Sequence, residues 1–235
     1  MLSVLLFAAI LTSPADAGQW SILIQTPGHN ELTAEEKREG FVLLFDGKSL
    51  KNFKGYKRDD VPKGWTVKDG EITYTPGIDG GDLSTREEYE DFDLRVDFKM
   101  NEHGNSGIIY LVSEDQGASY QSGPEYQLLD DPTYDIMDTQ MTGANYALHA
   151  PTKKVLRPAG QWNTARIVKK GNNVWHYLNG ELVVEYVLHS EDWDKRRAAS
   201  KFDSMPGYGK NEKGFICFQD HGGPLWFRSM RIRRL

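Results

Sequence analysis

The clearest pattern in the chain is a strict two-residue alternation. Across residues 92–100, Phe92, Leu94, Val96 and Phe98 alternate with Asp93, Arg95, Asp97 and Lys99, which predicts a strand with one buried and one solvated face. The same period in residues 125–129 sets Glu125, Gln127 and Leu129 against Tyr126 and Leu128, so Glu125 and Gln127 share one face of a sheet. Residues 106–112 are apolar almost throughout, as suits an interior strand. Asp69-Gly70 between residues 65–67 and 71–74, and Asn179-Gly180 between residues 174–178 and 181–186, predict hairpins. Further strands are expected at residues 41–45, at 83–85 after the Gly-rich loop 77–81, and at 162–168. Helical signal is confined to residues 32–38, capped by Thr33, and 192–202, capped by Ser190. Short strands with frequent turns and little helix predict an all-β sandwich or closed barrel. No repeat or low-complexity linker divides it.

Residues 214–228, G-F-I-C-F-Q-D-H-G-G-P-L-W-F-R, place chemistry on this pattern. An apolar strand gives way to Gln219-Asp220-His221, breaks at Gly222-Gly223-Pro224 and resumes as a second strand over residues 225–232. Polar side chains at the rigid end of a strand are well placed for acid–base or ligand work. The plainer reading is that Asp220 and His221 cap a hairpin.

Composition narrows the classes. A chain of 235 residues suits one large all-β domain with its own core. A formal net charge of -6 offers no basic surface and argues against a nucleic-acid partner. The single cysteine, Cys217, excludes an intrachain disulfide, so packing must stabilise the fold unaided. It lies in an apolar strand and is expected as a small buried hydrophobe. Residues 2–11 form an apolar run followed by Ala15-Asp16-Ala17, the pattern of a secretory signal peptide cleaved near Ala17, although no lysine or arginine precedes it. The run is too short to span a bilayer and no other stretch is long enough, so an exported protein, periplasmic or extracellular, without a membrane partner is expected. The expected organisation is residues 1–17 as signal peptide, 18–39 as N-terminal lead and 40–235 as a single sandwich domain.

Beyond residue 40 a set of motifs follows in order: Leu44-Phe45-Asp46-Gly47, Asn105-Ser106-Gly107-Ile108 and Gly123-Pro124-Glu125-Tyr126-Gln127-Leu128-Leu129-Asp130. Then come Pro158-Ala159-Gly160-Gln161-Trp162-Asn163, Leu178-Asn179-Gly180, Ala199-Ser200-Lys201-Phe202, Gln219-Asp220-His221-Gly222 and Trp226-Phe227-Arg228. Each is weak alone, but together and in this order they resemble the 3-keto-disaccharide hydrolase family, also described as 3-keto-glucoside 1,2-lyases and 3-keto-2-hydroxy-glucal hydratases. The resemblance implies a concanavalin A-like jelly-roll β-sandwich with one or two short helices. Two positions depart from the family pattern: His149, where a tyrosine is expected, and Ser229, where asparagine is common. Both point to a tuned substrate preference.

The implied substrate is an oxidised, 3-keto glucoside or disaccharide, made by a separate sugar 3-dehydrogenase upstream, since this chain carries no dinucleotide fingerprint. The C3 ketone acidifies the hydrogen at C2. A base removes it, the C1 substituent leaves by β-elimination, and hydration of the resulting 2-hydroxy-3-keto-glucal completes a net hydrolysis. Such a route needs a base, a stabiliser for the enolate oxygen and an acid or metal near the leaving group. Glu125, Asp220 and His221 are the candidate catalytic residues. Lys201, Gln127 and Arg228 are candidates for orienting hydroxyls or stabilising the enolate, and Tyr110, Tyr146 and Trp226 for platforms under the sugar. Asn105, Asp130 and His149 complete the expected substrate contacts. The sequence establishes no cofactor; a divalent metal ion held by Glu125, Asp220 or His221 suits an oxygen-rich site, but no compact ligand motif marks one. Trp162 and Trp175 are expected in the core, and His103, His176 and His189 in structural roles. The alternative is a non-catalytic carbohydrate-binding module, which needs aromatic platforms and no base. It would leave Glu125, Asp220 and His221 dispersed or salt-bridged. A conventional glucanase is disfavoured because its E-x-D-x-x-E strand signature is absent.

Overall fold

A computed structural model describes residues 28–235; the expected signal peptide lies outside the described residues. The strands are β1 (Val42–Leu43), β2 (Phe53–Gly55), β3 (Trp65–Lys68), β4 (Glu71–Tyr74), β5 (Leu83–Thr85), β6 (Phe92–Met100) and β7 (Asn105–Val112). They continue with β8 (Glu125–Leu129), β9 (Asn163–Lys170), β10 (Asn173–Leu178), β11 (Glu181–Val187), β12 (Phe215–Phe218) and β13 (Leu225–Arg234). These make the expected all-β sandwich of two antiparallel sheets. One has eight strands in the order β11-β10-β9-β6-β13-β4-β3, with β1 beside β13; the other has five, in the order β2-β5-β12-β7-β8. No helix among the described residues is long and apolar enough to cross a membrane.

Local chemistry accounts for most elements. Asp69 and Gly70, and likewise Asn179 and Gly180, have positive φ in both members, the geometry that two-residue hairpins demand. The strand expected over residues 41–45 shrinks to Val42–Leu43, since β1 pairs with β13 only at those two residues. The second helical segment divides in two. Helix α2 (Glu191–Ala198), following α1 (Ala34–Arg38), ends before Ser200, whose hydroxyl accepts the Phe202 N–H and starts a short 3-10 turn, Lys201–Ser204.

The stretch 214–228 differs from expectation in an instructive way. β12 lies between β5 and β7 in the five-stranded sheet, whereas β13 lies between β6 and β4 in the other. Residues 219–224 are therefore a crossover between sheets, not a hairpin turn, and Asp220 and His221 stand at the end of the sandwich where it is made.

The core lies between the sheets. Phe92, Leu94, Val96, Phe98 and Met100 of β6 face Ile108, Tyr110, Tyr126 and Leu128 of β7 and β8 across it. A fully buried large side chain contributes roughly 1.5–3 kcal/mol. Cys217, as expected, is buried, in a small cluster with Ile109 and Val112 on the outer face of the five-stranded sheet. Trp162 and Trp175 depart from expectation. Both are half-buried on the outer side of the eight-stranded sheet: Trp175 alternates with inward Val174 and His176, and Trp162 carries Lys99 and Arg228 on its ring.

The described part of the lead is bonded to that same outer face. Thr33 and Glu36 form a capping box, and the Glu36 carboxylate also accepts from Arg95 and Arg231. Burial raises the Glu36 pKa, but Arg231, the Thr33 N–H and Arg95 outweigh it and hold the carboxyl below its ordinary value. Glu36→Ala is expected to cost about 1–3 kcal/mol of stability near neutrality, through the lost cap, the lost Arg95 contact and an Arg231 guanidinium left without its carboxylate. A lowered native pKa gives stability that is present above the unfolded value and lost as pH falls. Urea midpoints of variant and wild type should therefore converge on acidification below about pH 4.5, the ordinary value for the group.

Candidate active site

Strand parity decides which side chains can meet. With Ile108, Tyr110, Tyr126 and Leu128 facing the core, the alternate residues Asn105, Gly107, Glu125 and Gln127 face out from the five-stranded sheet, where Gly107 pairs with Gln127 and Ile109 with Glu125. Over this face lies a cavity of about 470 Å³. Asn105, Glu125 and Gln127 form its floor, and Asp82, Gln219, Asp220 and His221 enter from the β4–β5 and β12–β13 connections. Tyr120, Tyr146 and Lys201 come from the segments after β7, β8 and α2.

Glu125 is only 5% exposed. Burial pushes its carboxyl up to about 8, tempered by the charge of Lys201 and reinforced by that of Asp82. No hydrogen bond or ion pair contributes to that balance. The side chain fits because its neighbour has none: a Cβ on Gly107 would lie 2.1 Å from Glu125 Oε1. Beside it, Gln127 Nε2 donates to Asn105 Oδ1 at 3.3 Å, while Gln127 Oε1 is buried without a partner. Lys201 Nζ sits 4.5 Å from the Tyr146 ring centroid and 5.6 Å from that of Tyr120.

The crossover is fastened by its own carboxylate. Asp220 Oδ2 accepts the Gly81 N–H and Oδ1 the Gly222 N–H, each at 2.9 Å, and the Tyr74 hydroxyl bonds to the same group. The Asp220 N–H in turn donates to Asp82 Oδ1 at 2.9 Å. Ser106 and Gly107 hold Gln219: the Ser106 hydroxyl donates to its carbonyl and the Gly107 carbonyl accepts its N–H. His221 stays exposed at the rim. Among the described residues no three His, Cys, Asp or Glu side chains converge as a metal-binding group.

The structure thus gathers seven of the residues singled out in the sequence: Glu125, Asp220, His221, Asn105, Gln127, Tyr146 and Lys201. It places the other five elsewhere. Tyr110 has the parity of Ile108 and points into the core, where its hydroxyl bonds to His176 Nε2 at 2.8 Å. The other His176 nitrogen, Nδ1, donates to the Gly143 carbonyl, and burial lowers the ring's pKa to about 3, so it is a neutral core histidine. Asp130 accepts the His103 N–H and pins the β6–β7 connection. His149 is stacked on Tyr186 and bonded to Asn145 and Asp192. Trp226 and Arg228 alternate with inward Leu225 and Phe227 and so project from the outer face of the opposite sheet, around Lys99 and Trp162. The two departures from the family pattern have structural explanations: His149 belongs to an aromatic stack, and Ser229 adopts φ 50 in the β13 bulge, a conformation asparagine tolerates well. Neither touches the cavity. Sequence reasoning missed Asp82 and Tyr120. Asp82 had a signal, an acid directly after Gly80-Gly81; Tyr120 lies in a polar segment without periodicity and had none.

A buried, unpaired carboxyl on the floor of a polar cavity, on one outer face of an antiparallel sandwich, defines this as a sandwich protein with an enzyme-like cleft. The chain belongs to the family described as the 3-keto-alpha-glucoside-1,2-lyase-like domain, whose model matches residues 40–233. It is 33% identical over 229 residues to a 3-keto-disaccharide hydrolase of Bacteroides thetaiotaomicron, covering 84% of this chain and 79% of that protein. Among solved structures, a candidate glycosyl hydrolase of Parabacteroides distasonis superposes with a TM-score of 0.84 at 39% identity, over 88% of this chain and all 100% of that one. A second candidate glycosyl hydrolase from the same organism gives 0.66 at 28% identity, over 83% and 99% of the two chains.

Two outcomes follow from the seat of Glu125. Gly107→Ala should cost about 1–3 kcal/mol in the wild-type background and markedly less in Glu125→Ala, a coupling read by a double-mutant cycle of urea midpoints. Folded Glu125 also keeps its proton to higher pH than the unfolded chain, so stability falls as pH rises from about 4.5 to 8. Glu125→Gln should match wild type near pH 4 and exceed it by on the order of 5 kcal/mol near pH 9.

Proposed function

We propose that this protein is a carbohydrate-active enzyme that cleaves 3-keto-glycosides, with Glu125 abstracting the C2 proton ahead of β-elimination at C1 and hydration of the product. The observation that carries this reading is the Glu125 carboxyl itself, desolvated, unpaired and open to the cavity. A base for a carbon acid works best with a pKa near the working pH, and burial moves a carboxyl there. Lys201 and the amide groups of Gln127 and Asn105 supply the positive charge and donors that an enolate oxygen requires. His221 stands exposed at the rim of the same cavity. Family membership and the Bacteroides relative support a carbohydrate-active hydrolase. Glu125, Asp220 and His221 line one cavity, which favours an enzyme over a binding module. A binding face gains nothing from burying a carboxyl with no partner.

The ketone is made by a separate dehydrogenase, and the apolar run with Ala15-Asp16-Ala17 supports export. To test the reading, the protein from Gly18 onward is incubated with a 3-keto-glucoside while enol absorbance and aglycone release are followed. Wild type should release the aglycone, and Glu125→Gln should lose on the order of 10²–10⁴-fold in kcat/KM with its fold intact. The groups facing Glu125 are Lys201, Asp82 and the rim His221. An active base must be ionised, so kcat/KM should climb with pH towards a plateau above about 8. Lys201→Met removes the cation that lowers this value and should move the limb upward. Substrate that binds yet survives intact across several aglycones would sink the enzyme reading.

A further inference from the structure

We propose that Asp82 is the second proton-transfer residue of this cavity, giving its proton to the departing C1 oxygen while Glu125 takes the proton from C2. The inference rests on the 3-keto-glycoside reading and adds to it the residue that completes the reaction. Asp82 directly precedes β5 and lines the same cavity as Glu125. Ser119 donates its hydroxyl to Asp82 Oδ2 and the Asp220 N–H reaches Oδ1, so each oxygen keeps bonding capacity. No lysine or arginine pairs with it: the charges acting on it are Asp220, which opposes ionisation, and His221, which favours it. Burial is the largest influence and holds the carboxyl above its ordinary value, the direction in which an acid's proton affinity has to move. Asp220 is the opposite case. Its carboxylate is taken up by Gly81, Gly222 and Tyr74, and a Cβ on Gly80 would come within 2.6 Å of its Oδ2. That makes Asp220 a positioning residue, whose N–H orients Asp82. The buried, unpartnered Gln127 Oε1 on the same floor independently marks this space as built for a hydrogen-bonding ligand.

The two acids balance the whole cycle. In elimination the C2–H bond breaks, its proton passes to Glu125, and its electron pair enters the enolate. The C1–O bond then breaks as C1=C2 forms, and the leaving oxygen takes the Asp82 proton. Glu125 is now protonated and Asp82 ionised. Hydration runs the reverse assignment: Asp82 takes a proton from the water that adds at C1, and Glu125 returns its proton to C2. Both residues end as they began, with one water consumed. If the glucal leaves before hydration, His221 at the rim connects Asp82 to solvent for reprotonation.

The test compares two 3-keto-glucosides, one releasing a nitrophenolate and one a simple alkyl alcohol. A nitrophenolate departs without protonation; an alkoxide does not. Asp82→Asn should lose on the order of 10²–10⁴-fold in kcat/KM on the alkyl substrate and less than about tenfold on the nitrophenyl substrate. Glu125→Gln should fail on both, and Asp220→Asn, which disturbs the residue that orients Asp82, should weaken the alkyl substrate more than the nitrophenyl one, by less than Asp82→Asn does. The ratio between substrates is measured on one sample, so partial misfolding of Asp82→Asn cancels. Equal losses on both substrates, or no loss on the alkyl one, overturn the assignment to Asp82 while leaving the enzyme reading in place. Wild type inactive on both overturns the reading and the assignment together.

Discussion

The site depends on one steric fact, the missing side chain at Gly107. Adjacent strands of a sheet stand too close for a glutamate to lie flat across its neighbour unless that neighbour presents bare backbone. Any Cβ at Gly107 would intrude on the Glu125 carboxyl, driving it either into the mouth of the cavity or towards a cation. In both positions it would be solvated or paired, and its proton affinity would return to that of an ordinary carboxylate. The glycine keeps the carboxyl against an apolar sheet, where the ionised form is disfavoured. The cost is borne by stability, and it is tolerable because a carboxyl can avoid it by holding a proton.

The opposite sheet shows what the same residue class becomes under the opposite treatment. Asp93 on β6 is fully buried, but Arg166 grips it with two hydrogen bonds of 2.9 Å and Arg233 adds another at 3.2 Å. Arg95 links this cluster to Glu36 and so to α1. Burial alone therefore does not make a reactive acid in this fold; burial without a cation in bonding contact does. One sheet uses its arginines to pair buried carboxylates and fasten the lead, while the other withholds them from Glu125 and Asp82. Fold and chemistry are divided between the two outer faces.

Much of this division was legible in the sequence. Period-two alternation located β6 and β8 to the residue and placed Glu125 beside Gln127, because side-chain parity is a local property. Parity applied as strictly to β13 would also have excluded Trp226 and Arg228, whose neighbours Leu225 and Phe227 mark the inward face, whereas β7 is apolar at both parities and leaves the face of Tyr110 open. What could not be read was which sheet each strand joins. A glycine–proline break after His221 looks the same in a hairpin and in a crossover, and only long-range pairing of β12 with β5 and β7 decides between them. That pairing brings Asp82 and Asp220 together across 138 residues. No local pattern carries such a contact: the glycines before Asp82 mark a turn, and only the strand pairing sets that turn beside Asp220.

The remaining question is why Lys201, the cation nearest the cavity floor, does not quench Glu125. Its ammonium rests among aromatic faces, those of Tyr146, Tyr120 and Phe202, and cation–π contacts hold a lysine without neutralising it. One of those faces is itself supported from the core: Phe202 stacks on Tyr208 at 3.8 Å between centroids, and the stack continues through Trp193 and Tyr186 to His149. A lysine on a free loop would close on a nearby carboxylate, since the pair gains more as it approaches in a medium of low dielectric. Tethered on its aromatic seat, it acts on Glu125 only through space. That influence lowers the carboxyl's proton affinity from what burial alone would impose, yet leaves it at about 8, within reach of working pH. The buried ladder from His149 to Phe202 thus backs one of the faces on which Lys201 rests, which is why a residue as remote from the cavity as His149 belongs to the architecture around the site.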